Sequence, residues 1–150
     1  IILIQDGDLE YNPENYKRLI KIILLKKFKV VYGSRVLKGG KRTRPKTLSF
    51  KVRTFANHFL TFLSNILNNQ KLTDAHTCYK VFSSELIKNI ELQEDGFNFC
   101  PEVTTKISKL KVKILEVPID YCGRTIKEGK KIEFLDGFRA IQCLFKYKFL

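Results

Sequence analysis

The sequence predicts an α/β domain with a mostly parallel sheet flanked by helices, and the arrangement of two short strands carries that prediction. The apolar, β-branched run Ile1 to Ile4 stops at Gln5-Asp6-Gly7-Asp8, as a buried strand does when it delivers polar side chains to its carboxyl end. After a helical pattern, a second strand, FKVVY over 28–32, stops at Gly33-Ser34-Arg35. Strand, acidic loop, helix, strand and loop make a βαβ unit. Both strands are then parallel and both loops lie at one sheet edge, which brings Arg35 close to Asp6 and Asp8.

The acidic loop supports two readings. Asp6 and Asp8 flank a glycine that lets a ligand approach, Glu10 adds a third oxygen, and such a set suits a hard divalent cation such as Mg²⁺ or Mn²⁺. Equally, Asp-Gly is a turn and Asp8 a cap for the next helix. That helix is expected to start at Asn12-Pro13-Glu14 and to run, through Tyr16, Leu19, Ile20, Ile23 and Leu24, to about Lys27. The stretch 36–46 (VLKGGKRTRPK) is glycine-rich and basic and reads as a mobile surface loop. From about Leu48 to Leu67 the apolar residues trace one helical stripe, with Arg53 and Asn57 together on a different face. Phe50 and Phe62 lie off that stripe.

Further on, TDAHTCYKVF over 73–82 passes from a polar turn, where Asp74 caps or reaches into a site, into a short apolar segment. Ser83 to Ile90 reads as a short helix with Ser84 as its cap, and a further helix is expected from Glu102 to about Lys109. VKILEV over 112–117 alternates like a strand that Pro118 ends and Ile119 to Tyr121 prolong. A second basic loop, 123–131, precedes an amphipathic helix over 132–150 that closes the domain or lies on a membrane surface.

Composition narrows the classes. The chain is 150 residues long, 44% hydrophobic and 12% aromatic, which excludes disorder. It contains no Met and opens in mid-strand, so it reads as a fragment that lacks its first βα units. Its 28 Lys and Arg against 15 Asp and Glu give a net charge of +13. Nucleic acid, an anionic membrane surface and a phosphorylated small molecule all answer to that charge. Cys78, Cys100, Cys122 and Cys143 form no CxxC pair, so a zinc site is not expected and buried, reduced thiols are. No signal-like N-terminus is present, and no apolar run reaches a membrane-spanning length.

With these pieces in place, the chain resembles the inverting family 2 glycosyltransferases, particularly the dolichyl- or polyprenyl-phosphate mannosyl- and glucosyltransferases. The matching blocks are QDGDLEYNPENY, VVYGSR, LTFLSNILN, TDAHTCYKVF, GFNFCPEV, EVPIDY and GRTIKEGKKI, in that family's order. The resemblance implies a Rossmann-like GT-A fold, of which residues 1–150 are the C-terminal portion. It implies that Asp6 and Asp8, with Glu10 where many relatives carry Gln, grip the donor diphosphate through Mg²⁺ or Mn²⁺. Arg35, and Arg53 with Asn57 on the following helix, match residues that bind the acceptor phosphate. Arg124 and Lys131 match a late loop closing over the substrates, although this chain has EGKK where many relatives have GESK.

The implied substrates are a nucleotide-diphosphate sugar and a polyprenyl phosphate, at the cytoplasmic face of a membrane to which the protein is peripheral. No nucleic acid is expected. A phosphate acceptor is already ionised at neutral pH and calls for cations rather than a strong base. The catalytic candidates are therefore Asp8, Arg35 and Asp74. A sugar-hydroxyl acceptor would need a base, for which Asp74 or Glu102 is the candidate. The alternative from a different class is a basic nucleic-acid-binding module, which no helix-turn-helix, zinc-finger or RNP-like pattern supports.

Overall fold

The computed structural model describes residues 1–43, 45–125 and 134–150. Among them, β1 (Ile2–Ile4), α1 (Asn15–Leu24) and β2 (Val30–Ser34) form the expected strand–helix–strand unit. There follow β3 (Arg42–Thr43), α2 (Leu48–Asn68), β4 (Lys80–Phe82), α3 (Ser84–Lys88), a 3₁₀ turn over Gly96–Asn98 and α4 (Phe99–Lys109). The last elements are β5 (Ile114–Pro118), β6 (Tyr121–Cys122) and α5 (Phe134–Phe149).

The main sheet has the order β1-β4-β2-β5. Here the expectation of a mostly parallel sheet fails. Only β2 and β5 pair in parallel, whereas β4 inserts antiparallel between β1 and β2, with Val81 opposite both Leu3 and Val31. The expected consequence survives the correction. Because β1 and β2 each run antiparallel to β4, they point the same way, and their acidic and Arg35-bearing loops emerge at one edge. The fold is mixed α/β, with helices flanking a mixed sheet.

Alternation along β2 divides the core. Val31 faces a cluster with Leu19 and Ile23 of α1, while Val30 and Tyr32 face Phe82, Ile87, Val103 and Ile107 under α3 and α4. Each fully buried aliphatic side chain contributes about 1.5–3 kcal/mol. α1 starts later than its Asn-Pro-Glu signal predicts, because Asn12 Oδ1 accepts from Glu14 N at 3.0 Å and forms an Asx turn ahead of the helix. α4 starts earlier than Glu102, with Pro101 in its first turn. Ser83, not Ser84, caps α3.

α2 matches its predicted span, and its apolar stripe faces outward. Thr47 Oγ1 caps it by accepting from Phe50 N, and Asn69 ends it with φ +50. Its inward residues are Leu60, Thr61, Ser64 and Asn68, while Leu48, Val52, Phe55, Phe59, Phe62 and Ile66 face solvent. The exposed residues repeat at intervals of four and three over 18 positions, a continuous outer stripe.

The described residues of the basic stretch 36–46 are anchored rather than loose. β3 pairs in parallel with β6, Asp120 Oδ1 accepts from Lys41 N, and Gly40 lies so close to Ile119 that a Cβ there would stand 2.0 Å from its carbonyl oxygen. Arg42 also donates to the Val36 carbonyl. The four thiols are unpaired with one another, but Cys122 is exposed, against the expectation of buried cysteines. Among the described residues, no helix is long and apolar enough to cross a membrane.

Candidate active site

One cavity of about 1210 Å³ opens at the carboxyl edge of β1 and β2 and continues between α2, the start of α4 and α5. Its wall holds Asp6, Asp8, Glu10, Arg35, Arg53, Asn57, Asp74 and Arg124, so every candidate among the described residues that the family resemblance implied shares this one space. Lys131, with the basic run 127–131, lies outside the described residues. Glu102 is absent from the wall. It is wholly buried, accepts from Gln93 N and Glu94 N at 2.8 and 2.9 Å, and pairs with Lys106. Those contacts stitch the 91–94 segment to α4.

The acidic loop is built by local contacts. Asp8 Oδ1 accepts from Glu10 N at 3.2 Å, so Asp8 closes its own turn rather than capping α1, and Leu9 is forced to φ +57. A non-glycine residue there costs about 1–2 kcal/mol. The other Asp8 oxygen meets Arg124 Nη2 at 3.0 Å. Glu10 is nearly inaccessible. Its Oε1 accepts from Arg124 N at 3.0 Å and lies 3.5 Å from Arg124 Nε, and its Oε2 accepts from the Tyr121 hydroxyl at 3.2 Å. Burial pushes the Tyr121 hydroxyl up to about 12, so it remains a donor at neutral pH. Glu10 thus fixes Arg124 and Tyr121 in place, while Asp6 and Asp8 stand nearer the open cavity. Among the described residues, no set of three or more His, Cys, Asp or Glu is placed to hold a metal. Two carboxylates nevertheless fit Mg²⁺, which commonly takes one or two from the protein and fills its remaining positions with water and phosphate oxygens.

The second half of the site is centred on Asp74. Glu116 of β5 accepts from Thr73 N at 2.7 Å and Asp74 N at 2.9 Å, which anchors the loop that presents Asp74. Asp74 in turn takes Arg35 bidentately, Nε to Oδ2 at 2.7 Å and Nη2 to Oδ1 at 2.8 Å, and accepts from Arg35 N and from Asn57 Nδ2 as well. Burial alone would raise the Asp74 carboxyl. The Arg35 charge and the hydrogen bonds from Arg35 and Asn57 outweigh it and hold the group down at about 2. Asp74 is therefore a fixed anion, with Arg35 also stacked over the Tyr121 ring at 5.4 Å. One turn before Asn57, Arg53 presents a buried Nη2 that has no hydrogen-bond partner among the described residues.

Two participants escaped the sequence reading. Tyr121 links the halves by contacting both Glu10 and Arg35, which its place at the end of the EVPIDY block does not disclose. His76 lines the cavity with a buried, unpartnered Nε2. Its signal was the alternation Asp74, His76, Cys78.

Comparison with known proteins adds to this geometry. No family model matches the chain. Over 133 residues it is 27% identical to the undecaprenyl-phosphate mannosyltransferase of Micrococcus luteus, an alignment covering 87% of this chain and 52% of that protein. It is 26% identical over 143 residues to the low-salt glycan biosynthesis hexosyltransferase of Haloferax volcanii, covering 95% and 34%. An uncharacterized protein of Methanocaldococcus jannaschii is 24% identical over 151 residues, covering 99% and 60%. The chain thus spans between a third and three fifths of the length of these relatives, two of which are named as glycosyltransferases.

Proposed function

We propose that this chain is the C-terminal portion of a GT-A catalytic domain that moves a hexose, with inversion, from a nucleotide-diphosphate sugar to a polyprenyl phosphate. The observation that carries the proposal is the single cavity joining an acidic loop, a cluster of arginines and an apolar wall. The names of two relatives point the same way, one a polyprenyl-phosphate mannosyltransferase and the other a hexosyltransferase.

In this reading Asp6 and Asp8 hold Mg²⁺ or Mn²⁺ against the donor diphosphate. The metal supplies a Lewis acid that neutralises charge growing on the departing nucleoside diphosphate. Glu10 sets the position of Arg124 and Tyr121 rather than acting as a third ligand. Arg53 is the main grip on the acceptor phosphate, because its buried Nη2 still needs an anionic partner and a charge-assisted contact there is strong. Arg35 is held by Asp74 and Asn57 and contributes a fixed positive field at the acceptor end. Lys131 completes the closing loop together with Arg124. A phosphate acceptor needs positioning more than deprotonation. Held as an anion with such a low affinity for protons, Asp74 is a poor general base, which disfavours a sugar-hydroxyl acceptor.

The outer stripe of α2 fits the same substrate. Leu48, Val52, Phe59, Phe97 and Phe138 are exposed, yet also line the cavity, so an apolar surface leads directly to the arginines. Such a face on a chain of net charge +13 suits peripheral binding to an anionic membrane surface, from which the lipid acceptor reaches Arg53.

Transfer from GDP-mannose or UDP-glucose to undecaprenyl phosphate tests the reading. Arg53→Ala is expected to raise the acceptor KM about tenfold or more and to leave the donor KM unchanged. Equal loss for both substrates, or no transfer from either donor by the wild-type protein, overturns it.

A further inference from the structure

The segment from Asp74 to Cys78 presents alternate side chains to the cavity. Asp74, His76 and Cys78 are on its wall, and Ala75, Thr77 and Tyr79 are not. The two outer members mark opposite ends of the site. Asp74 binds Arg35 and Asn57 at the arginine end, and Cys78 Sγ accepts from Asp6 N at 2.7 Å at the acidic end. The middle member, His76, therefore lies between the carboxylates that face a donor diphosphate and the arginines that face an acceptor phosphate. What occupies that interval in a transferase is the group being moved.

Two properties of His76 fit a neutral, hydroxylated group. Its Nε2 is buried without a hydrogen-bond partner among the described residues, and an unsatisfied polar atom of this kind awaits one from a ligand. The charges that act on the ring are those of Lys80, Asp74 and Arg35. Burial, reinforced by the Lys80 charge, pushes the imidazole down to about 4, so the ring is neutral at physiological pH and repels neither a cation nor an anion on either side. A neutral imidazole offers one donor and one acceptor nitrogen, the complement of a sugar hydroxyl.

We propose that His76 is a specificity-determining residue that hydrogen-bonds a hydroxyl of the transferred sugar. This rests on the transferase reading above and assigns that reading's sugar subsite. Neither the acidic loop nor the arginines can discriminate between hexoses, since both grip phosphate groups common to every donor. A site built to pair with a substrate hydroxyl discriminates strongly, because its polar atom is left buried and unpaired by the wrong ligand.

Calorimetric titration in the presence of Mn²⁺ tests this without turnover, using GDP against GDP-mannose and UDP against UDP-glucose. For the nucleotide sugar that the wild-type protein prefers, His76→Ala is expected to weaken binding about tenfold and to leave the matching nucleoside diphosphate within about twofold. His76→Gln, which keeps a donor and an acceptor, recovers part of the loss. The unchanged nucleoside diphosphate doubles as a check that the variant is folded. Equal weakening of nucleotide sugar and nucleoside diphosphate, no weakening of either, or a wild-type protein for which the sugar adds no affinity overturns the assignment of His76 alone. Failure of the wild-type protein to bind any of the four ligands overturns the transferase reading along with it.

Discussion

Helices α1 and α2 solve the same problem in opposite ways. In α1 the apolar residues Leu19 and Ile23 face the sheet and lysines face water. In α2 the buried residues are Leu60 and the polar Thr61, Ser64 and Asn68, while Phe55, Phe59 and Phe62 face out. An inward polar face is stable only when most of its groups are paired. Here Asn57 meets Asp74, Thr61 Oγ1 accepts from Ala75 N at 3.2 Å, and Asn68 donates to Thr105 Oγ1 at 3.1 Å. α1 is held by burial, whereas α2 is held in large part by hydrogen bonds, to the Asp74–Ala75 segment and to α4. The difference shows that an apolar stripe can be kept out of the core and left for a partner.

The comparison can be broken at its strongest point first. Asp74→Ala leaves Arg35 uncompensated beneath α2 and is expected to cost about 3–5 kcal/mol. Leu19→Ala on α1 is expected to cost about 2–5 kcal/mol through loss of burial and creation of a cavity. Urea denaturation measures both, and a loss under about 1 kcal/mol for Asp74→Ala would show that the polar interface does not hold α2 in place. Thr61→Val removes the acceptor of a buried N–H and is expected to cost about 1–3 kcal/mol in the same measurement.

Acidification sharpens the contrast, because Leu19 and Ile23, the buried apolar side chains of α1, do not titrate. The Asp74 carboxyl lies below its ordinary value of 3.8, so its contribution is present above that pH and is lost as pH falls toward about 2. His76 is also depressed, from 6.5 to about 4, and since its neutral form is the folded one, its contribution is lost as pH falls between those values. Urea midpoints are therefore expected to fall in two stages, and His76→Gln to remove the upper one. The smallest effect on stability is expected for Phe55→Ser with Phe62→Ser, within about 0.5 kcal/mol per site. The same pair is expected to reduce cosedimentation with anionic vesicles several-fold, and unchanged cosedimentation would remove the outer stripe from the account.

Much of this was legible in the sequence, and the failures are local. The β1–α1–β2 unit could be read because strands end abruptly at polar turns and helices repeat every three to four residues. The place of β4 could not, since three residues, Lys80 to Phe82, carry no sign of their partners, and antiparallel insertion is decided by contacts some 50–80 positions away. α2 showed its length but not its orientation. Periodicity locates a stripe, and whether the stripe points inward depends on whether the opposite face finds hydrogen-bond partners. The loop at 36–46 looked mobile because its anchors, Asp120 and Ile119, lie about 80 residues away. For the site, the acids and arginines stood out as charged residues at the ends of strands or on one helical face. Glu10 stood out only as a third acid, because its distant partners, Tyr121 and Arg124, are invisible from the spacing Asp6, Asp8, Glu10.

The central claim is that Asp6 and Asp8 present a metal-bound donor diphosphate to an acceptor held by Arg53. The most direct test is metal-dependent hexose transfer to undecaprenyl phosphate by wild-type protein and by Asp8→Ala. Transfer by the wild-type protein is expected to rise with added Mn²⁺ or Mg²⁺, and to fall on the order of a hundredfold or more in the variant. Transfer by Asp8→Ala at a near-wild-type rate would contradict it.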